Sequence, residues 1–426
     1  MTRIEFPCPI PMPGVGERIM EVRTVPGPLD GIRVIEMSTW GALPGGGAIL
    51  GDWGAEVIKV EEPKGGGDPA RAFALVSNTQ GTGQIAPVWE QDNRNKKGVT
   101  IDVGTPEGHD AILRLIKKAD VFLTSSRRPT LRKLGLAYDD LKEENPRLVM
   151  CHLSGFGPQG ADADRPGYDA LCFWARAGFA LALAPGDEPI GQRPALGDHV
   201  TSIAIAGGVA AALVAREKTG RGQHVQASLF HSGLWVSSVD QVTVSMSQQN
   251  IAKFTRGVAG NPLVGTFQTA DGWIQMVNLQ PDRYWEPFCR AAECEDLLSD
   301  PKYDSLEKRA ERAGELMGIF QKSFIKRPTN EWIPRFDEHG VRWGKIQTIL
   351  DASKDEQAWA NGYFHPIEHP DAGSMNLVTS PIQFSDTRTS IETTAPMLGQ
   401  HTEEVLLDAG FSWEELEALK DKGVIL

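Results

Sequence analysis

From Gly31 to about residue 230 the chain alternates short apolar runs with amphipathic stretches, and this rhythm restricts the fold more than any single residue does. "GIRVIEMS" (31–38) reads as a buried strand, followed by a Gly-rich turn, "WGALPGGG" (40–47), and a short helix, "AILGDWG" (48–54). "AEVIKVE" (55–61) is the next strand. "GVTIDV" (98–103), "DVFLTS" (120–125) and "LVMCHLS" (148–154) continue the series. Between them, "TPEGHDAILRLIKKA" (105–119) carries Thr105 as N-cap, Pro106 at N1 and Glu107 in the first turn. These are helix-start signals, because an oxygen and a negative charge suit the free N–H groups there. "YDDLKEENP" (138–146) reads as a further helix. Strands alternating with helices predict a parallel sheet covered on both faces, an α/β fold with a Rossmann-like large domain.

The pattern changes beyond 230. Residues 231–259 read as linker helices, 260–365 as a smaller α+β domain, and 366–426 as a return to the large domain. Within the small domain "QTADGWIQMVNL" reads as a strand pair around a turn. Residues 1–28 read as an extended, proline-punctuated arm without the apolar core of a signal peptide. The most apolar run, 202–215, is glycine-interrupted and short of the ~20 residues a membrane span needs. A net charge of -13 argues against nucleic acid or an anionic membrane as partner. Five scattered cysteines, Cys8, Cys151, Cys172, Cys289 and Cys294, without a C-x-x-C pair, suit reduced thiols in a cytoplasmic protein.

Several motifs invite chemistry. The glycine loop at 41–47 misses the G-x-G-x-x-G spacing of a dinucleotide site, with Glu61 as the ribose acid that such a site would need, so a tight turn near a phosphate-bearing ligand is the better reading. The basic clusters "NRNKKG" (93–98) and "SSRRPTLRKLG" (125–135) read either as solvated loops or as a phosphate-binding rim. Asp162 and Asp164 lack further ligands at metal-binding spacing, so no metal is expected, and either Tyr168 or Asp169 reads as a helix cap. Asp198, in "RPALGDHVTS", stands just ahead of the long apolar segment, where a carboxylate is either a cap or a nucleophile.

Taken together, "PLDGIRVIEMS", "GAEVIKVEEPKGGGDPAR", "NRNKKGVTIDVGTPEG", "ENPRLVMCHLSGFGPQG", "RPGYDA", "ALGDH", "TGRGQHVQASLF", "TADGWIQM" and "PMLGQHTEEVL" resemble the class III CoA-transferases, which include formyl-CoA and carnitine CoA-transferases and the related alpha-methylacyl-CoA racemases. The resemblance implies a CoA-binding large domain and an interlocked homodimer. It also implies acyl-CoA and a carboxylic acid as substrates, with no permanently bound cofactor. It makes Asp198 the nucleophile, passing through an aspartyl anhydride and an aspartyl-CoA thioester. It assigns Arg127, Arg128, Lys133, Asn95, Lys96, Ile101 and Tyr168 to CoA, and Trp40, Gly260 and Gln280 to the substrate pocket. The racemases carry His where this chain has Tyr168 and Glu where it has Gln280, so proton transfer is disfavoured. Glu62 stands where some members place an arginine for the adenosine phosphates, and "GVAGN" (257–261) is a thin counterpart of the glycine lid of formyl-transferring relatives. Alternatives are an acyl-CoA racemase or epimerase, and a non-catalytic CoA-binding paralogue.

Overall fold

The structure, a computed structural model, describes residues 26–75, 85–253 and 260–426. The N-terminal arm up to residue 25, with Cys8, lies outside them, as does most of "GVAGN". The alternating runs form six strands: β1 (Arg33–Met37), β2 (Glu56–Glu61), β3 (Lys96–Thr100), β4 (Val121–Thr124), β5 (Val149–Ser154) and β6 (His224–Ser228). They lie in the order β3-β2-β1-β4-β5-β6, and each neighbouring pair is parallel. Alternate side chains enter opposite cores, as the pleat requires. Ile35, Ile58, Phe122 and Met150 face one layer, and Val34, Val57, Val121, Leu123 and Val149 face the other. The first layer is completed from the far end of the chain by Val405, Leu406, Phe411, Leu416, Leu419 and Ile425.

Strand order reverses between β1 and β4, which opens a crevice at their carboxyl ends, the usual ligand position in such sheets. The Pro106–Lys117 helix starts as its sequence signals, with Thr105 Oγ1 accepting the Gly108 N–H at 3.1 Å.

Other elements differ from expectation. Gly45, Gly46 and Gly47 are not a turn but part of a helix, Ala42–Asp52. They are small because this helix packs closely on Leu196–Thr219: a Cβ on Gly45 would lie 2.5 Å from Ser202 Oγ, and one on Gly46 2.7 Å from Ile205 Cγ2. Glu61, the candidate ribose acid, is paired with Arg71 at 2.6 Å. "YDDLKEENP" yields a single turn, Tyr138–Leu141, while "SSRRPTLRKLG" contains an unforeseen helix, Arg128–Lys133. The apolar run extends into a 24-residue helix, Leu196–Thr219, whose length and composition would allow it to cross a membrane. One of its faces is buried on the Ala42–Asp52 helix and the sheet.

Beyond the helices Leu229–Val236 and Ser238–Ser247 lies an antiparallel sheet of β7 (Val264–Gln268), β8 (Trp273–Val277) and β9 (Trp343–Lys345). Its core is aromatic, with Phe267, Phe288, Phe320, Phe324, Trp332 and Phe336. A hairpin, β10 (Phe364–His369) and β11 (Gly373–Val378), then rejoins the large unit, where Gln91 Nε2 donates to the Val378 carbonyl at 2.9 Å. Cys151, Cys172, Cys289 and Cys294 are free thiols.

Candidate active site

A cavity of about 630 Å³ opens at the strand-order reversal. Thr39, Trp40 and Gly41 line it from the end of β1, Ser125 and Arg127 from β4, and His152 from β5. A second cavity of about 250 Å³, lined by Glu62, Ile101, Thr130 and Leu134, shares Thr39 and Ser125 with the first. The two therefore adjoin along the carboxyl edge of the sheet.

Asp198 enters the larger cavity from the first turn of the Leu196–Thr219 helix. That helix starts at Ala195, a non-glycine residue at φ 60°, a left-handed conformation that persists only where surroundings enforce it. The cap comes from another segment. Asp169 Oδ2 accepts the backbone N–H of Gly197 at 3.0 Å and of Asp198 at 3.3 Å. Asp169 thus is a helix cap, but of a helix well beyond the segment it precedes in sequence. Gly197 permits the approach, because a Cβ there would strike Asp169 and Phe173. Ser202 Oγ bonds the Ala42 carbonyl at 2.7 Å and the Asp198 carbonyl at 2.9 Å, tying the two helices that meet at the site. Gly41 lies against the carboxylate: a Cβ there would be 2.9 Å from Asp198 Oδ2.

The Asp198 side chain accepts no hydrogen bond and forms no ion pair among the described residues. Burial pushes its pKa up to about 7, and the negative charges of Asp169 and Asp92 push the same way, partly offset by His199. Asp169 is also raised, chiefly by burial. His199 sits beside this group with Nε2 3.1 Å from Asp92 Oδ1, a bond that raises the imidazole pKa.

The β1–α loop that carries Trp40 rests on a buried network of charges. Lys59 Nζ lies 3.1 Å from Glu36 and 3.0 Å from Asp68, and it donates to the Ser38 carbonyl at 3.0 Å. Asp68 Oδ1 accepts the Trp40 N–H at 3.1 Å. Trp40 itself is held at φ 70°. Lys96 Nζ completes the network, 2.8 Å from Glu36 and from the Pro44 carbonyl. Burial pushes Lys96 down to about 8 against the pull of Glu36.

The structure gathers some of the sequence candidates and separates others. Asp198, Trp40, Tyr168, Arg127 and Arg128 all line the large cavity, and Ile101 lines the adjoining one. Arg128 is held by Asp164 at 2.9 Å, whereas Arg127 has no partner among the described residues. Lys133 is exposed on the last turn of the Arg128–Lys133 helix, beside Thr130 and Leu134 but outside the lining. Lys96 is fully buried in the charge network, so it presents nothing to a ligand in either of these cavities. Asn95 lies against Gly51 of the Ala42–Asp52 helix and lines a separate cavity of about 890 Å³. There its amide donates to Asp52 at 3.0 Å and the Ser390 carbonyl at 2.7 Å, clamping the returning segment. Gln280 stands at the N-cap position of the Pro281–Ala291 helix in the small unit, and its side chain accepts from Arg283 at 3.1 Å. Gly260 is exposed, and neither it nor Gln280 lines the cavity within this chain. Asp162 is paired with Arg176 at 2.9 Å, and no cluster of three or more metal-ligating side chains occurs among the described residues. Sequence reasoning missed Phe73, Asp92 and His199, and took Gly41 only as the start of a glycine loop. Only a three-dimensional approach brings Phe73 and Asp92 to Asp198, whereas His199 lies in the "ALGDH" stretch beside it.

A carboxylate without partners, in a cavity walled by aromatic rings and arginines, is suited to attack on an activated carbonyl, because nothing must be broken to release it. Comparisons with known proteins show the family. The model of CoA-transferase family III matches residues 29–402. The chain is 32% identical over 399 residues to (R)-2-hydroxy-4-methylpentanoate CoA-transferase of Clostridioides difficile, covering 93% of this chain and 99% of that protein. It is 31% identical to cinnamoyl-CoA:phenyllactate CoA-transferase of Clostridium sporogenes, over 93% of this chain and 97% of that one. Among solved structures, a CAIB/BAIF family protein from Brucella suis superposes with a TM-score of 0.77 at 27% identity, covering 90% of this chain and 100% of that chain. The fold, the crevice at the strand reversal and these similarities converge: the chain belongs to CoA-transferase family III and is a CoA-transferase.

Proposed function

We propose that the chain moves CoA from an acyl-CoA donor to a carboxylic acid acceptor through Asp198. The observation that carries this reading is the Asp198 carboxylate, free of hydrogen bonds and ion pairs at the wall of the large cavity. In the first step its oxygen attacks the thioester carbonyl, giving a mixed anhydride and CoA thiolate. The thiolate then attacks the aspartyl carbonyl, releasing the donor acid and leaving an aspartyl-CoA thioester. The acceptor carboxylate reverses both steps, so no water enters and no net acyl energy is lost. Keeping the thiolate within reach contributes up to about 7–11 kcal/mol by proximity.

The adjoining cavities suit a long ligand. In this reading the nucleotide end of CoA lies by Ile101, with Arg127 and Lys133 available to its phosphates, and the pantetheine arm passes Thr39 and Ser125 toward Asp198. A homodimer fits the exposed apolar side chains on the two linking helices, among them Trp235, Val239 and Met246. Interlocking would cover them, and Gly260 and Gln280 would then act at a partner's cavity rather than their own.

The test is trapping. Protein incubated with an acyl-CoA is treated with hydroxylamine or borohydride, digested and weighed. The expected result is a modified Asp198 peptide, lost together with CoA exchange in Asp198→Asn. Modification elsewhere, or exchange that survives the substitution, overturns the reading.

A further inference from the structure

Three aromatic rings from distant segments meet beside the candidate nucleophile. Trp40 makes edge contacts with Phe73, centroids 5.8 Å apart, and with Tyr168, 5.7 Å apart. All three line the cavity of Asp198. A core cluster would be closed to solvent, but Tyr168 is 54% exposed, and Trp40 and Phe73 are only half-buried. The Tyr168 hydroxyl bonds to no described residue. The ring surface therefore faces the cavity.

Two features join these rings to the reacting carboxylate. Gly41, the residue after Trp40, lies directly against Asp198, where a side chain would collide with Oδ2. An acyl group borne by that oxygen emerges next to the indole. The position of the indole is also imposed, since its backbone is held left-handed with the N–H fixed to buried Asp68.

Charge discriminates between acids. The groups whose charge bears on Asp198 are Asp169, Asp92 and His199, two of them negative, and His199 faces Asp92. Of the three arginines lining the cavity, two are paired with carboxylates, and Arg127 is unpaired among the described residues. Arg128 is paired with Asp164, and Arg165 is with Asp162. Arg127 follows β4 near Ser125, the side that adjoins the second cavity. A second carboxylate on the acyl chain would meet aromatic faces and like charge, whereas an apolar tail meets ring surface.

We infer that the acid carried by Asp198 is a monocarboxylate with a branched or aryl tail, selected over dicarboxylates by Trp40, Phe73 and Tyr168. This rests on Asp198 being the acyl-bearing residue. The experiment compares the rate at which Asp198 of the full-length protein is labelled by 4-methylpentanoyl-CoA and 3-phenylpropanoyl-CoA with the rate for succinyl-CoA and glutaryl-CoA, each trapped with hydroxylamine. The first pair is expected to label at least ~10-fold faster. Tyr168→Ala and Phe73→Ala should each reduce that preference by about 3–10-fold. Tyr168 is largely exposed, so its truncation leaves the core untouched, and a folding loss in Phe73→Ala leaves the first variant to decide. Equal or faster labelling by the dicarboxylic thioesters overturns the inference and leaves the role of Asp198 standing, as does a preference unchanged in both variants. Failure of all four thioesters to label Asp198 overturns both.

Discussion

Replacing Asp198 by Asn should make the protein more stable while removing its activity. Burial and the neighbouring carboxylates raise the Asp198 pKa from 3.8 to about 7. In the unfolded chain the group ionises near its ordinary value. Below that value Asp198 is protonated in both states and contributes nothing. Between the two values the folded state holds a proton that the unfolded state has lost, so stability falls as pH rises. Above about 7 the full cost of a half-buried, unpaired anion is present. At about 1.4 kcal/mol per pH unit, this cost is on the order of 4 kcal/mol. Asn has the shape of the protonated acid and carries no charge, so the substitution relieves the cost only where wild type pays it. Thermal unfolding of both proteins at pH 4 and pH 8 measures the difference. Asp198→Asn should melt several degrees higher at pH 8 and near wild type at pH 4. A variant that is less stable at pH 8, or equally shifted at both pH values, would refute the electrostatic reasoning.

Asp169→Asn keeps an acceptor for the Gly197 and Asp198 amides but removes the charge nearest the nucleophile. The acid limb of the kcat/KM profile should move to lower pH, whereas Asp169→Ala should also lose ~1–2 kcal/mol of helix cap in denaturant titrations. Lys59→Met leaves Glu36 and Asp68 buried without their shared cation and should cost about 3–5 kcal/mol, read as a lowered Tm and as altered Trp fluorescence. Arg127→Ala should raise KM for acyl-CoA by about 5–10-fold with little change in kcat, and the difference should shrink at high salt.

The sheet was legible because its signals are local: Val34, Ile35, Val57 and Val121 sit in short apolar runs, and Thr105-Pro106-Glu107 is a helix start in one glance. The site was legible only in part. Asp198 stands out at the head of an apolar helix, and the word-by-word resemblance gave it a role. The residues that tune it did not stand out. Asp169 acts across 28 and 29 positions, through the amides of Gly197 and Asp198. Gly41 looks like any loop glycine until the carboxylate is seen against it. The errors share a cause. Asn95 and Lys96 belong to a basic cluster that reads as a phosphate rim, yet one clamps a segment almost 300 positions away and the other neutralises buried Glu36. Gly45–Gly47 read as a turn because helix propensity penalises glycine, and tertiary contact with Ser202 and Ile205 outweighs that penalty.

The C-terminal residues from Val405 to Ile425 close one face of the sheet begun at β1. On the ribosome, all six strands are made while that face has only the part of its cover that Ile112, Leu115, Leu131 and Leu141 supply, and about two hundred further residues must follow. At ordinary synthesis rates the wait is roughly 10–40 s. The part of the face that awaits Val405–Ile425 is thus exposed for far longer than strand pairing takes, and chains that end before residue 405 never cover it. Loss of the last two helices should therefore send the protein into aggregates rather than merely weaken its activity.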